Sequence, residues 1–353
     1  MGDYVVNPYI EVRKNDNVII VRMYSSRKEL KLTYDPALET LLSIGRQEDS
    51  TNWFSTISDK HHVSQKDYES ALHSLLEVGI VVPRSATSNE NQMLNRQDVF
   101  FTGAGFNGPE IRERLEHAKV LVLGTGGIGA SLTQQLAMVG VRNFVLVDPD
   151  TVDLTNLNRT SMFRKKDVGK PKIEVIRTWI EERVDSSHVS TYRESISGSD
   201  DIVRILKQER PIDLIVDCMD QPSTEQTGIW VSTACWEHKI PHFIAGGYNY
   251  HGGSVGQTCI PDETACSNCH TLWLKEKNKF QDSGSELISR AKSGGSYYPL
   301  VSLVTSMQCA EIVKVLTGYS QPLFTDTQVE IDIESLELKL TEIKRHKNCT
   351  VCH

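Results

Sequence analysis

The chain has 353 residues, of which 39% are hydrophobic and 24% charged, so it is a globular sequence long enough for about two domains. Its 38 Lys and Arg residues against 46 Asp and Glu give a net charge of −8, which does not favour a partner such as nucleic acid or a membrane surface. The N-terminus does not resemble a signal peptide, and no stretch is expected to span a bilayer. We therefore expect a cytoplasmic protein with reduced cysteines.

The first 85 residues are expected to form a small separate domain. Short strands are predicted at residues 9–13 and 18–22, helices at 36–44 and 64–76, and a closing strand at 80–82. This order of elements fits a winged-helix-like module and an ordinary α+β cap equally well. The polar segment 86–97 predicts a linker.

From residue 118 onward, strands and helices alternate, which predicts a doubly wound, mostly parallel sheet of the Rossmann-like α/β class. This domain is expected to extend over residues 98–353. It also contains a long helix at 300–316. Its predicted parallel strands are 120–123, 143–147, 189–192, 214–216 and 242–245.

A glycine-rich loop lies between the first of these strands and the following helix. Its glycines let the backbone approach phosphate groups, and the helix N-terminus supplies N–H groups and positive potential. Asp148, at the end of the next strand, suits a ribose hydroxyl of either NAD or ATP. The loop glycines are Gly124, Gly126, Gly127 and Gly129.

The polar residues that follow favour ATP. Asp150 and Asn156 precede two cations, Arg159 and Lys172, and a nucleotidyl transfer needs cations to neutralise the β- and γ-phosphates as pyrophosphate leaves. A hydride transfer has no such need. A NAD-dependent oxidoreductase, and a non-catalytic protein that keeps the fold, remain as alternatives.

Two Cys-x-x-Cys pairs bracket the last quarter of the chain. Four thiolates at this spacing predict a closed tetrahedral zinc site with a structural role. The pairs are Cys266 with Cys269 and Cys349 with Cys352. The other cysteines are expected to be buried and unreactive.

In this order, the motifs resemble those of the adenylating enzymes related to ubiquitin-activating E1, the ThiF-MoeB superfamily. The resemblance covers about residue 92 to the end. It implies that a carboxylate oxygen attacks the α-phosphate of Mg-ATP, and that pyrophosphate leaves. The matching segments are the glycine loop, D-x-D at 148–150, N-L-x-R at 156–159, V-G-x-P-K at 168–172, D-C-M-D at 217–220 and both cysteine pairs.

The resemblance also implies residue roles. Asp148 would hold the ribose, whereas Arg159 and Lys172 would hold the triphosphate. Asp220 would bind Mg²⁺ or orient the attacked phosphate. Arg96 matches an arginine that members of this family lend to the partner's ATP, which implies a homodimer.

The folded N-terminal region is similar to that of the peptide-tailoring branch, which matures microcin C-type and pantocin-type peptides. The resemblance implies activation of a carboxyl or carboxamide group of a ribosomally made precursor peptide, giving a modified or cyclised antibiotic. Residues 18–22 and 68–76 are the expected leader-binding groove. Segment 275–296 is expected either to cover the substrate or to be a disordered surface loop. The alternative function is adenylation of a sulfur-carrier protein.

Overall fold

The computed structural model describes residues 3–24, 26–47, 50–87, 93–249, 252–282 and 295–352. The chain divides into two compact units, Met1–Arg114 and Leu115–His353. This boundary lies beyond residue 98, where we expected the adenylation domain to begin. The division into a recognition domain, a linker and an adenylation domain rests on function and stays a prediction.

The first unit contains two small antiparallel sheets and several helices. A three-stranded sheet has the order β2-β3-β4, and β1 pairs with β5. Asp35 and Ser64 accept hydrogen bonds from the first-turn N–H groups of the first and third helices, which explains where both helices begin. The elements are β1 Tyr4–Val6, β2 Ile10–Asn15, β3 Val18–Met23, β4 Lys28–Thr33, α1 Pro36–Ile44, α2 Trp53–His61, α3 Gln65–Glu77, β5 Val81–Pro83 and α4 Asn95–Gly103, and α5 Gly108–His117 continues past the division into the second unit.

Strand β3 is the central strand of the first unit. Its side chains alternate, so that Ile19, Val21 and Met23 are buried together with Trp53 of α2. Because β3 pairs with β2 on one side and β4 on the other, it has no free edge. Residues 18–22 therefore cannot take up a peptide as an added strand, and their part in a leader-binding groove stays a prediction.

The second unit is an α/β domain. Its elements are β6 Lys119–Leu123, α6 Gly127–Met138, β7 Asn143–Val147, α7 Lys172–Glu181, β8 His188–Tyr192, α8 Ser199–Glu209, β9 Leu214–Asp217, α9 Thr224–His238, β10 His242–Ala245, β11 Tyr248–Asn249, β12 Gly252–Cys259, α10 Ser267–Asp282, α11 Tyr298–Thr317, β13 Thr327–Asp332 and β14 Leu338–Glu342.

The large sheet of this unit has the order β14-β13-β12-β10-β9-β6-β7-β8, with β11 paired to β12. The five strands from β10 to β8 are parallel, and the others are antiparallel. This confirms the predicted doubly wound sheet. The carboxyl ends of the parallel strands share one edge, where such sheets bind ligands.

Helix α11 is 20 residues long and, by length and composition alone, could cross a membrane, which the sequence analysis did not expect. In the structure it packs against α6 and β12, and 56% of its apolar window is buried. Gln135 of α6 donates a hydrogen bond to Thr305 at 2.8 Å. The buried Glu311 pairs with Lys314 at 3.0 Å. These contacts are those of a core helix.

Candidate active site

The glycine loop leaves β6 in a conformation that requires glycine. Gly124 has a φ of +83°, and a Cβ there would lie 2.8 Å from the carbonyl oxygen of Cys218. A Cβ at Gly129 would overlap the carbonyl oxygen of Gly124. At Gly126, the residue before α6, a Cβ would meet nothing within 4 Å. The helix N-terminus therefore faces open space, which fits the phosphates of ATP.

Asp148 follows β7 and is buried beside this loop. Its Oδ2 accepts hydrogen bonds from the N–H and the hydroxyl of Thr125, at 2.6 and 2.9 Å. Its Oδ1 accepts from the N–H of Asp150 at 2.8 Å. The residue predicted to hold the ribose thus also orders the phosphate loop. The role of Thr125 was not predicted from the sequence, where it stands between Gly124 and Gly126 as a position that the glycine pattern does not specify.

Lys172 begins α7 and lies beside both acidic residues of the D-x-D motif. Its Nζ is 2.7 Å from Oδ2 of Asp150 and 3.9 Å from Oδ1 of Asp148. The structure thus brings together three predicted site residues. The Lys172 side chain is only 9% exposed, so its charge is held in place by these carboxylates.

Arg159 lies over the start of α6. A Cβ at Gly127 would be 3.0 Å from Cδ of Arg159, and the guanidinium donates to the carbonyl oxygen of Thr155. Asn156 is buried, and its Oδ1 accepts from the N–H of Asp153 at 2.9 Å. Asn156 therefore shapes the turn that carries Arg159, while Arg159 itself borders the open end of the helix.

The two acidic residues of the D-C-M-D motif have different surroundings. Asp220, expected to bind Mg²⁺ or orient the phosphate, is exposed and lies three residues beyond the end of the buried strand β9. The strand ends at Asp217, whose Oδ1 accepts from the N–H of Met219 at 3.0 Å and whose Oδ2 is buried without a partner among the described residues. Burial raises the pKa of Asp217 to about 7. Asp217, the first acid of the D-C-M-D motif, is the buried acidic residue that the sequence analysis did not single out.

Two further expectations concern Arg96 and the segment 275–296. Arg96 is exposed in the first turn of α4, in the first unit. The predicted loop 275–296 begins as helix, since α10 continues to Asp282. This part of the expectation was wrong. Residues 283–294 of the segment lie outside the described residues.

The four motif cysteines converge within the second unit. Their sulfur atoms lie within 4.8 Å of one another, with neighbours 3.3 to 3.9 Å apart. Zn–S bonds of about 2.3 Å in a tetrahedron give sulfur separations of about 3.8 Å, so the set fits zinc. The N–H of His346 donates to the sulfur of Cys269 at 3.2 Å, as is typical around metal-bound thiolates. The residues are Cys266, Cys269, Cys349 and Cys352.

The remaining cysteines offer no activated thiol. Cys235, Cys259 and Cys309 are buried, and burial raises the pKa of the Cys309 thiol to about 12. Burial also raises the pKa of Cys218, whose backbone packs on the glycine loop. Thiols in such surroundings stay protonated and unreactive.

A comparison with known proteins identifies the family of this chain. The sequence model of the ThiF family matches residues 97–351. The chain belongs to the ThiF family. As a ThiF-family protein it is an ATP-using adenylating enzyme, as the sequence analysis predicted.

Two curated relatives of this ThiF-family chain are adenylyltransferases. The molybdopterin-synthase adenylyltransferase of Escherichia coli K12 is 26% identical over 269 residues, which are 76% of this chain and 99% of the relative. The sulfur carrier protein adenylyltransferase of Thermus thermophilus is 29% identical over 248 residues, 69% of this chain and 86% of the relative.

MccB is a structural neighbour of this ThiF-family chain over 99% of its length. The structure of E. coli MccB with ATP has a TM-score of 0.74 and 23% identity, covering 99% of this chain and 100% of MccB. The microcin C7 biosynthetic enzyme MccB in complex with N-formylated MccA has a TM-score of 0.73 and 22% identity, with the same coverage. This likeness shows the fold.

Proposed function

We propose that this enzyme uses Mg-ATP to adenylate a carboxyl or carboxamide group of a ribosomally made precursor peptide. The activated group then reacts to give a modified or cyclised peptide antibiotic. In this proposal the enzyme is a cytoplasmic homodimer in which Arg96 of one protomer reaches the ATP of the other.

The first unit is the observation that carries the proposal. The E. coli molybdopterin-synthase relative is matched over 99% of its own length yet covers 76% of this chain. The likeness to MccB covers 99% of this chain, and therefore extends to the N-terminal unit. A folded N-terminal unit is thus what distinguishes this chain from that relative, and MccB is the neighbour solved with MccA.

The edge of β4 suits an extended leader peptide. Among the described residues, the backbone of β4 makes hydrogen bonds to β3 alone. At the opposite edge, Arg46 donates to the carbonyl oxygen of Ile10 at 2.8 Å and so occupies part of β2. An added strand gains main-chain hydrogen bonds from a free edge, so we assign the leader to β4.

Apolar side chains of β4 and α3 would give selectivity. Leu30 and Leu32 of β4 are half-buried, as are Leu72 and Leu76 of α3, and all four pack on the core of the first unit. Their exposed parts would contact the side chains of a leader. The proposed leader-binding groove therefore contains β4 in place of β3 and still contains α3.

The residues of the second unit would perform the adenylation by binding and orientation. Magnesium, held by Asp220, would screen the phosphates. Arg159 and Lys172 would neutralise the charge that develops on leaving pyrophosphate. A carboxylate is already ionised at neutral pH, so its attack needs no base in the protein.

The test is pyrophosphate release from ATP with synthetic peptides encoded by short reading frames beside the gene. Each peptide is supplied with and without its leader. We expect release that requires the leader. Release with leaderless peptide at the same KM would overturn the role of the first unit, and release of orthophosphate would replace adenylation by phosphorylation.

A second candidate is adenylation of a sulfur-carrier protein, which is the activity named for the Thermus thermophilus relative. It predicts pyrophosphate release with a small ubiquitin-like carrier and none with short peptides. The same assay therefore separates the two functions.

A further inference from the structure

A pocket of about 230 Å³ opens at the carboxyl end of β10 in the second unit. Ala245 and Gly247 lie on one side and Glu225 of α9 on another. Ile244, which also lines it, stands beside Asp217 in the β9–β10 pair. The pocket thus adjoins the segment that carries Asp220. Its volume is below the roughly 300–1,000 Å³ of whole-ligand sites and suits a single side chain.

One wall of the pocket carries a buried hydrogen-bond acceptor that has no donor. Gln257 of β12 is 4% exposed, and its Nε2 donates to the carbonyl oxygen of Ala265 at 3.0 Å. This bond fixes the side-chain amide. Its Oε1 is buried and has no partner among the described residues. Buried polar atoms are almost always paired, so Oε1 is available to a donor from a ligand.

The mouth of the pocket carries a negative charge. Glu225 is exposed and is the single carboxylate among the described residues that line this pocket, which include His270 but no lysine or arginine. Lys275 lines a second cavity that shares Glu225. A carboxylate and an unpaired amide oxygen both bind donors. An acidic ligand would instead meet repulsion from Glu225 and gain nothing from Gln257.

We propose that this pocket binds a basic side chain of the peptide substrate, a primary ammonium or guanidinium, close to the group that is adenylated. The cation donates to Oε1 of Gln257 and pairs with Glu225. This inference rests on the proposed function, because it assigns the pocket to the peptide. It narrows the substrate to peptides with Lys or Arg near the activated group.

The test uses two small probes and the full-length enzyme saturated with Mg²⁺ and a non-hydrolysable ATP analogue. N-acetyl-lysine N-methylamide carries the ammonium, and N-acetyl-norleucine N-methylamide has a similar shape without it. Dissociation constants are measured by NMR titration. We expect the lysine probe to bind about fivefold tighter or better, as suits a hydrogen bond plus a part-exposed ion pair.

Three variants examine the pocket. Glu225→Gln removes the charge and Gln257→Met removes the acceptor. Gly247→Val fills the pocket, since a Cβ at Gly247 would meet nothing within 4 Å. Each should abolish the preference for the lysine probe. Gln257→Met also loses the hydrogen bond to Ala265, next to the first zinc cysteine. If Gln257→Met misfolds, the other two variants carry the test.

Matched controls lie elsewhere in the same unit. Glu237→Gln removes an exposed carboxylate from the last turn of α9, and Gly198→Val adds a side chain where a Cβ also meets nothing within 4 Å. Both should keep the preference. Equal binding of the two probes, no saturation by either, or a preference that survives both Glu225→Gln and Gly247→Val would overturn the inference.

The outcomes separate this inference from the proposed function. Leader-dependent pyrophosphate release without any preference for the lysine probe would contradict the assignment of the pocket to a basic side chain and leave the proposed function intact. A lysine preference in an enzyme that releases no pyrophosphate with any peptide would remove the proposed function and leave a cation-binding pocket.

Discussion

Asp148 and Thr125 are joined by two hydrogen bonds, since the N–H and the hydroxyl of Thr125 both donate to the same carboxylate oxygen, at 2.6 and 2.9 Å. Thr125 belongs to the glycine loop after β6, and Asp148 follows β7. The pair therefore fixes the phosphate loop against the neighbouring strand. Asp148, which is assigned to the ribose, therefore also orders the phosphate loop. Mutations can separate these two roles.

We expect Asp148→Asn to weaken ATP binding about tenfold or more, because it replaces charge-assisted hydrogen bonds with neutral ones beside the phosphate loop. The free energy of unfolding should fall by about 1–3 kcal/mol. Nucleotide titration and urea unfolding measure the two effects. Thr125→Val loses only the hydroxyl and should cost less in both. Unchanged ATP affinity in Asp148→Asn would remove Asp148 from the site.

Arg159 is expected to act on chemistry rather than on folding. Its guanidinium borders the open N-terminus of α6, so Arg159→Ala should lower pyrophosphate release about 100-fold with little loss of stability. Lys166→Ala removes an exposed cation from the same segment and serves as the control. Equal losses in the two variants would indicate a general effect of charge instead of a specific contact.

The parallel strands of the second unit could be predicted from the sequence, whereas β1 and β4 of the first unit were not predicted. β6 and β7 are apolar runs between glycine and charged residues, a pattern that is typical of buried parallel strands. β4, with the sequence Lys-Glu-Leu-Lys-Leu-Thr, consists largely of residues that are not enriched in strands. Its pairing with β3 over six residues overrides that local preference.

The structure brings predicted site residues together at the ends of neighbouring strands. Asp148, Lys172 and the glycine loop meet because their segments share the carboxyl edge of one sheet. Gln257 had no comparable signal, because an unpaired acceptor exists only once the neighbours that could have paired with it are in place. For the same reason, the sequence could not show which of Asp217 and Asp220 is buried.

We expect one zinc ion per chain, measured by elemental analysis, and loss of the ion in Cys349→Ala. The cost should be several kcal/mol of unfolding free energy, because metal binding and folding are coupled. Cys309→Ala is the control, since Cys309 is buried in α11 away from the cluster. A folded, stable Cys349→Ala enzyme that has lost turnover would contradict a structural role.

Asp217 should make stability depend on pH. Its pKa is raised by burial from 3.8 to about 7, so the native state binds more protons than the unfolded state between these values. Unfolding free energy should therefore fall as pH rises from about 4 to about 7, by up to about 4 kcal/mol, and then level off. Asp217→Asn cannot ionise and should lose this dependence. Parallel pH profiles of the two proteins in urea unfolding would show that Asp217 does not titrate there.

Leu72→Lys tests the leader site on α3. Leu72 is half-buried on α3 and packs on the same core as the β4 leucines, so in the proposed leader site a charge there should raise the KM for leader-bearing peptide about tenfold and leave ATP affinity unchanged. Leu340→Lys places the same charge on β14 of the second unit, where the leucine is 63% exposed, and should leave KM unchanged. An equal KM for leaderless peptide in wild type and Leu72→Lys completes the test. If Leu72→Lys also lowered turnover of leaderless peptide, the first unit would act on catalysis and not as a separate leader-binding module.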